Sequence, residues 1–434
     1  MNTPFFDDVK KLSKLKTRFF MPGHKGKKKA IKPFKKIVKF DITEIDGADD
    51  LQNPSASLLK SEENMARIYN TGATLYCANG STACIEAMLT TFVNMGDTVI
   101  MARNCHVSAV RACAFLNINP MWIIPDCNNI IDVNNLEEMI INTKAKAVYI
   151  TSPNYYGFLA NIKECARVCK KYNIPLLIDN AHGAYLKFLP TDLHPITLGA
   201  DACADSLHKT LPCLTGASVL HLQNAKFKNR ARWAINLFSS TSPSYLILTS
   251  IDLLVGKLLA GKINFEKAIT KCNLVRRKLN NICVQKENIE PLKLTIAPRR
   301  TGFKTQDVVS ELKKNKIFPE MYNEYYIVLM ASAYNRKKDF TKLIKILKKY
   351  NNHALVEINE KFEFELPKRK LSIRMATFAK KRQISVEKSF GEIASGIITP
   401  CPPGIPVVMP GEIIDKRIIE NILNSGISVI DVVK

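Results

Sequence analysis

Lys209 lies in the run Asp205-Ser206-Leu207-His208-Lys209-Thr210, between a short apolar segment and another at Gly216–Leu222. A lysine at a strand end among small polar residues is badly placed for a solvated charge and well placed for a covalent bond. Partial burial and nearby positive charge lower an ammonium pKa, and the neutral amine can then condense with a carbonyl to a Schiff base. A second run, Leu176-Leu177-Ile178-Asp179-Asn180-Ala181-His182-Gly183, ends an apolar segment on a carboxylate. Such an acid can keep a ring nitrogen protonated, and it can equally cap a helix. In the third, Cys77-Ala78-Asn79-Gly80-Ser81-Thr82-Ala83, a Gly-Ser-Thr turn opens a predicted helix. Backbone N–H groups, the positive helix end and the hydroxyls suit a phosphate there, although Ser and Thr cap many helices that bind nothing. The fourth, Ala102-Arg103-Asn104-Cys105-His106, brings an imidazole that can stack on a flat ring or serve as a cap.

These residues need a scaffold that collects strand ends. Apolar strand candidates are Thr98–Ala102, Met121–Pro125, Ala147–Thr151, Pro175–Asp179, Ala200–Asp205 and Gly216–Leu222. Helical stretches such as Thr82–Asn94, Val107–Asn117 and Ile162–Tyr172 separate most of them. Strands alternating with helices predict a mainly parallel sheet covered on both faces. Ligands in such α/β sheets bind at the carboxyl ends of the strands. Longer helical patterns run from Pro243 to Gln285. Beyond them Lys293–Ala297, Tyr326–Ser332, Asp339–Tyr350 and Lys370–Met375 predict a smaller α+β domain. The expected organisation is an N-terminal arm (1–45), a large domain (46–260) and a C-terminal small domain (261–434). The run Thr399–Pro406 is too proline-rich for a helix or a central strand and predicts a rigid extended loop.

None of the four motifs decides a chemistry alone, but their order along the chain does. A phosphate turn, a stacking residue, a strand-end acid and then a strand-end lysine form a pyridoxal-phosphate (PLP) site on an aspartate-aminotransferase-type fold. With these residues in view, the chain resembles the Orn/Lys/Arg decarboxylase family of fold-type I PLP enzymes. The resemblance runs over most of the chain. It starts with Phe20-Met21-Pro22-Gly23-His24-Lys25-Gly26, Asp41-Ile42-Thr43-Glu44 and Asp49-Asp50-Leu51. It continues through Asn79–Ala83, Arg103–His106, Asp179–Gly183 and Ser206–Thr210 to Pro402–Pro406 and Met409-Pro410-Gly411-Glu412.

The resemblance implies a PLP-binding large domain with a mainly parallel seven-stranded sheet, and decarboxylation of arginine, lysine or ornithine as in polyamine metabolism. Lys209 would be the Schiff-base lysine and Asp179 the partner of the pyridine nitrogen. His106 would stack on the ring. Gly80, Ser81, Thr82, Ser206 and His208 would hold the phosphate, with Ala181 and His182 completing the ring-binding segment and His182 also counted as catalytic. Glu44, Asp46, Asp49, Asp50 and Glu412 are the acids available for the substrate's distal cation. Val107, where many members carry a lysine, and Tyr185, near which many carry a second histidine, bear on substrate preference. The chain resembles the smaller biosynthetic type. A homodimer is expected. The same fold supports an aminotransferase or an aldolase, and Arg374 is the small-domain arginine that could clamp an α-carboxylate in an aminotransferase.

Composition narrows the alternatives. The 434 residues are 46% hydrophobic, which excludes a disordered chain. No apolar run reaches the roughly 18 residues of a membrane span. Met1–Lys16 has no apolar signal core, so a cytoplasmic protein is expected. The formal charge is +24. It fits a nucleic-acid surface or a lysine-rich composition spread over solvated faces; lysine far outnumbers arginine and no RNA-binding or helix-turn-helix signature is present, so nucleic acid is not the expected partner. The twelve cysteines show no regular zinc spacing, and no metal is expected.

Overall fold

The computed structural model describes residues 2–356, 366–398, 406–424 and 426–434. The extended loop expected at Thr399–Pro406 falls, except for Pro406, outside the described residues. The chain divides into two compact units, Met1–Phe92 with Pro175–Asn264, and Val93–Ile174 with Phe265–Lys434.

Seven strands form the main sheet: β1 (Ala73–Cys77), β2 (Thr98–Ala102), β3 (Asn119–Ile123), β4 (Ala147–Thr151), β5 (Leu176–Asp179), β6 (Ala202–Asp205) and β7 (Ser218–Leu222). Their order is β1-β7-β6-β5-β4-β2-β3, the mainly parallel sheet of an aspartate-aminotransferase-type α/β fold. The first unit holds β1, β7, β6 and β5, the second β4, β2 and β3. In the first unit β5 and β6 run parallel, while β7 runs antiparallel to both β6 and β1. A parallel neighbour needs a long crossover, usually through a full helix. The β6–β7 link carries only the short helix Leu207–Thr210, so the chain turns back beside β6. In the second unit β2 is parallel to both β3 and β4.

β1, β5, β6 and β7 are buried along their whole length. That is why they read as continuous apolar runs rather than alternating ones. β1 is absent from the strand candidates because Thr74 and Cys77 dilute its apolar signal. In place, Thr74 is buried and bonds within the fold, its Oγ1 lying 2.8 Å from His221 Nδ1 and 2.9 Å from Thr71 Oγ1. β3 starts two residues earlier than expected and contains Pro120. A proline is tolerated there because β3 is the last strand in the order and its outer edge needs no ladder bond.

The N-terminal arm begins with a helix, Pro4–Leu12, that sequence reasoning did not foresee. It buries Phe5 against Tyr245, with ring centroids 5.5 Å apart, and Phe6 N donates to Asp252 at 2.9 Å. Arg18 then gathers the arm's loop, donating to the carbonyls of Leu15, Ser13 and Lys39 at 3.3, 3.0 and 2.9 Å. Gly26 has φ +68°, and a Cβ there would stand 2.5 Å from the Arg18 guanidinium. His24 Nε2 lies 3.1 Å from Asp41 Oδ2, which joins the two N-terminal motifs. The helical pattern from Pro243 to Gln285 resolves into Tyr245–Leu259 and Phe265–Lys278, broken at Gly261.

In the second unit the strands β8 (Lys293–Ile296), β9 (Met321–Tyr322) and β10 (Ile327–Met330) form an antiparallel sheet in the order β8-β10-β9. The strands β11 (Lys381–Ser385) and β12 (Val429–Val433) pair antiparallel over a cluster that includes Val386, Val408, Ile414, Ile422 and Val432. Strands and helices in this unit give the expected small α+β part. Among the described residues no helix is long and apolar enough to cross a membrane.

Candidate active site

β1 ends at Cys77, and the next turn delivers the chain into the helix Gly80–Phe92. Gly80 has φ +76° and its N–H donates to Gly216 O at 2.9 Å, so the turn is tied to the loop that enters β7. The first N–H groups of a helix have no partner within it. Ser81 and Thr82 stand in that first turn, both half-buried. Ser206, 1% exposed, donates from Oγ to Ser81 Oγ at 3.0 Å. Two hydroxyls from different strand ends therefore meet at one helix N-terminus.

β5 carries Asp179 at its last position, 2% exposed. Its Oδ1 accepts from Ala181 N at 3.1 Å. The turn after it is tight: a Cβ on Gly183 would lie 1.9 Å from Asn180 Oδ1, so a larger residue would have to displace the amide that donates to Asp205. This turn sends His182, 5% exposed, toward the neighbouring strand end. Asp179 is in register with Ala204 on β6, and the short helix after β6 presents His208 and Lys209. Lys209 Nζ lies 3.0 Å from His182 Nε2. One proton can sit on either side of such a contact, as ammonium donating to a neutral imidazole or as imidazolium donating to a neutral amine. His208 is turned to its own loop, with Nδ1 donating to Ala217 O at 3.0 Å.

Within the first unit, then, the residues expected from sequence come together as two pairs: Ser81 with Ser206, and Lys209 with His182. Asp179 and Ala181 stand at the adjoining strand end. His106 lies in the second unit and is the N-cap of the helix Val107–Leu116. Its Nδ1 accepts from Ser108 N at 3.3 Å and lies 2.9 Å from Ser108 Oγ. The capping role weighed from sequence is thus present. Val107 is half-buried in the first turn of that helix, and Tyr185 is fully buried in the first unit.

Three residues considered from sequence are committed elsewhere. Asp49 accepts from five backbone N–H groups, those of Asp50, Ser55, Ala56, Leu58 and Leu59, at 2.8–3.3 Å. It fastens the start of the helix Ser57–Tyr69 and is not available to a substrate cation. Glu412, 1% exposed, pairs with Arg103 at 3.0 Å and accepts from Met409 N at 2.8 Å. Burial raises its pKa against the lowering effect of Arg103. Arg103 also donates to Pro406 O at 3.1 Å. Arg374 donates to Ala114 O and Phe115 O at 3.2 and 2.8 Å, closing the end of the helix Val107–Leu116 rather than offering a carboxylate clamp. Glu44, Asp46 and Asp50 remain on the surface or half-buried.

Sequence reasoning missed the network behind Lys209. Asn180 Nδ2 donates to Asp205 Oδ1 at 2.6 Å, and Asp205 Oδ2 lies 3.1 Å from His194 Nε2 and 3.5 Å from His221 Nε2. The imidazoles hold the buried Asp205 carboxyl well below the usual carboxylate range, against the effect of burial. Only the position of Asp205 directly before Ser206 hinted at this; His194 and His221 carry no local motif.

Comparison with known proteins identifies the family of the chain. Residues 3–296 match the Orn/Lys/Arg decarboxylase major domain, and residues 361–425 match the C-terminal domain of the same family. An arginine decarboxylase of Bacillus subtilis is 27% identical over 98% of this chain and 95% of its own length. An arginine decarboxylase of Halalkalibacterium halodurans is 28% identical over 95% of this chain and 91% of its own. Among solved structures, the Francisella novicida lysine decarboxylase LdcF superposes with a TM-score of 0.84 at 19% identity, covering 100% of this chain and 81% of that one. With the family's major domain matched over more than half of its length, this chain belongs to the Orn/Lys/Arg decarboxylase family.

Proposed function

We propose that this chain decarboxylates arginine, using PLP held by Lys209. The observation that carries the reading is the 3.0 Å contact of Lys209 with His182, one strand end from the buried carboxylate of Asp179. The donor set fits the cofactor: an amine for its aldehyde, a water-shielded acid for its ring nitrogen, and paired hydroxyls at a helix N-terminus for its phosphate. When bound, PLP supplies an electron sink for the pair left as the bond from Cα to the carboxylate breaks.

The protein's own groups do the rest. Ser81 and Ser206, now hydrogen-bonded to each other, would hold the phosphate, with the first-turn N–H groups of Gly80–Phe92 beside them. Asp179 holds a proton at the ring nitrogen. Its burial keeps water from weakening that contact, and the Ala181 N–H fixes its angle. His182 would exchange a proton with Lys209 Nζ, so that the amine could be held neutral or protonated as the reaction requires. Of the acids considered for the substrate's guanidinium, Glu44, Asp46 and Asp50 remain. The choice of arginine rests on the names of the relatives that match over nearly the whole chain. We read the enzyme as a cytoplasmic homodimer whose product, the guanidino-amine, enters polyamine-type metabolism.

The test is a product assay on PLP-loaded protein with arginine, lysine and ornithine offered separately. The expected result is carbon dioxide and one amine in equal amounts, fastest with arginine. Faster release from lysine or ornithine would overturn the substrate. A 2-oxo acid formed without carbon dioxide would overturn the reaction in favour of an aminotransferase.

A further inference from the structure

Asn180 and Asp205 are both fully buried and have no part in the chemistry above, yet each stands at the base of a turn that does. β5 and β6 lie side by side and parallel, with Asp179 opposite Ala204. Asn180 is the first residue past β5, and Asp205 is the last of β6. Two bonds join them across the strands. Asn180 N donates to Ala204 O at 3.0 Å, and Asn180 Nδ2 donates to Asp205 Oδ1 at 2.6 Å. Asp179 directly precedes one end of this link and Ser206 directly follows the other, with His182 and Lys209 further along the same two turns.

The link is braced at both ends. Asp205 Oδ2 lies 3.1 Å from His194 Nε2 and 3.5 Å from His221 Nε2, and Thr74 Oγ1 stands 2.8 Å from the other nitrogen of the His221 ring. The imidazoles keep the carboxyl ionised in the core, so its bond to the Asn180 amide is charge-assisted. At the far end, Asn180 Oδ1 makes no hydrogen bond among the described residues. It packs against Gly183, where a Cβ would collide with it, and Gly183 N donates to the Asn180 backbone carbonyl at 2.8 Å. A buried amide oxygen without a partner is destabilising and calls for a reason. The reason here is that Asp205 aims the amide, which then wedges the turn that carries His182.

We propose that Asp205 is a positioning residue for the Lys209 site. Acting through the Asn180 amide, it fixes the Asp179–Gly183 turn, so that Asp179 keeps its angle and His182 keeps its 3.0 Å contact with Lys209 Nζ. This role rests on the reading of Lys209 as the PLP lysine and of Asp179 as the ring partner.

The link can be cut from the Asn180 side while the Asp205 charge and its imidazoles stay in place. Asn180→Ala holoenzyme is compared with wild type in the pH midpoint of its visible cofactor band without substrate. Turnover and KM are measured with the fastest substrate among arginine, lysine and ornithine, and melting temperature is followed in parallel. A proton held on the ring nitrogen by Asp179 lowers the proton affinity of the nitrogen that Lys209 shares with the cofactor. A loosened turn should therefore raise the midpoint by about one pH unit, or about tenfold in proton affinity. Turnover should fall about ten- to a hundredfold, with KM changed less than about twofold. A wild-type midpoint or a wild-type turnover, whatever the melting temperature, would mean a structural role alone and overturn the proposal. Asp205→Asn is the second arm. In the Asn180→Ala background it should lower turnover by less than about twofold further, and losses that multiply would overturn the route through Asn180. Lys209→Ala separates this role from the functional reading. If it abolishes the band while Asn180→Ala changes nothing, positioning fails and the Lys209 assignment stands. If the band survives Lys209→Ala, the assignment fails and positioning fails with it.

Discussion

Replacing Ser206 by alanine isolates the phosphate contact from everything else PLP does. In the structure Ser206 Oγ donates to Ser81 Oγ at 3.0 Å and is shielded from water. A neutral hydrogen bond of that kind contributes about 1 kcal/mol, and one to a charged group about 1.5–3 kcal/mol. On binding, the first is exchanged for the second. Ser206→Ala removes both, so the net loss in cofactor affinity is about 0.5–2 kcal/mol, or about 2- to 30-fold in Kd. The assay is titration of cofactor-free protein with PLP and, in parallel, with pyridoxal, which keeps the aldehyde and ring and lacks the phosphate. Wild-type and variant should bind pyridoxal alike, while PLP should weaken in the variant by the stated factor. If both ligands weaken equally, or PLP binding does not change, the hydroxyl pair is not the phosphate site and the turn at Gly80 has been misread.

Other perturbations report on the scaffold. Glu412→Ala leaves the Arg103 guanidinium, only 3% exposed, without its carboxylate. Loss of one partner of a buried pair costs about 3–5 kcal/mol, which a lowered urea midpoint would show, and an unchanged midpoint would contradict. Asp252, which accepts from Phe6 N of the N-terminal helix, has its carboxyl pushed up to about 6 from 3.8, chiefly by burial. Because the folded value is raised, the folded state binds this proton more tightly. The resulting penalty is absent below the unfolded value, grows as pH rises through the folded one and levels off at about 3 kcal/mol. Asp252→Asn should remove that part of the pH dependence of unfolding between pH 4 and 8. Parallel curves for the two proteins would contradict it.

The strand ends were legible because each is written locally. An apolar run closing on Asp179, another followed by Ser206 and Lys209, and a Gly-Ser-Thr turn keep their meaning without knowledge of the rest. β1 was not, since Thr74 reads as polar until His221 is placed beside it. The reversal of β7 follows from the shortness of the link after β6, which a pattern of alternating strands and helices does not convey. The acids show the limit most clearly. Asp49, Asp50 and Glu412 look alike in sequence, yet backbone amides claim Asp49 and Arg103 claims Glu412. The group around Asp205 was equally hidden, because pairing of β6 with β7 is what brings His221 beside Cys203.

The central claim is that Lys209 holds the cofactor and that its amine takes part in loss of the carboxylate. Lys209→Ala tests it directly when the spectrum of PLP-incubated protein is read before and after gel filtration. Wild-type protein should keep a visible absorption band that borohydride bleaches, with the cofactor then fixed on the peptide containing Lys209. The variant should lose the band and release no carbon dioxide from arginine. A variant that retains the band and its turnover, or a reduced cofactor found on another lysine, would contradict it.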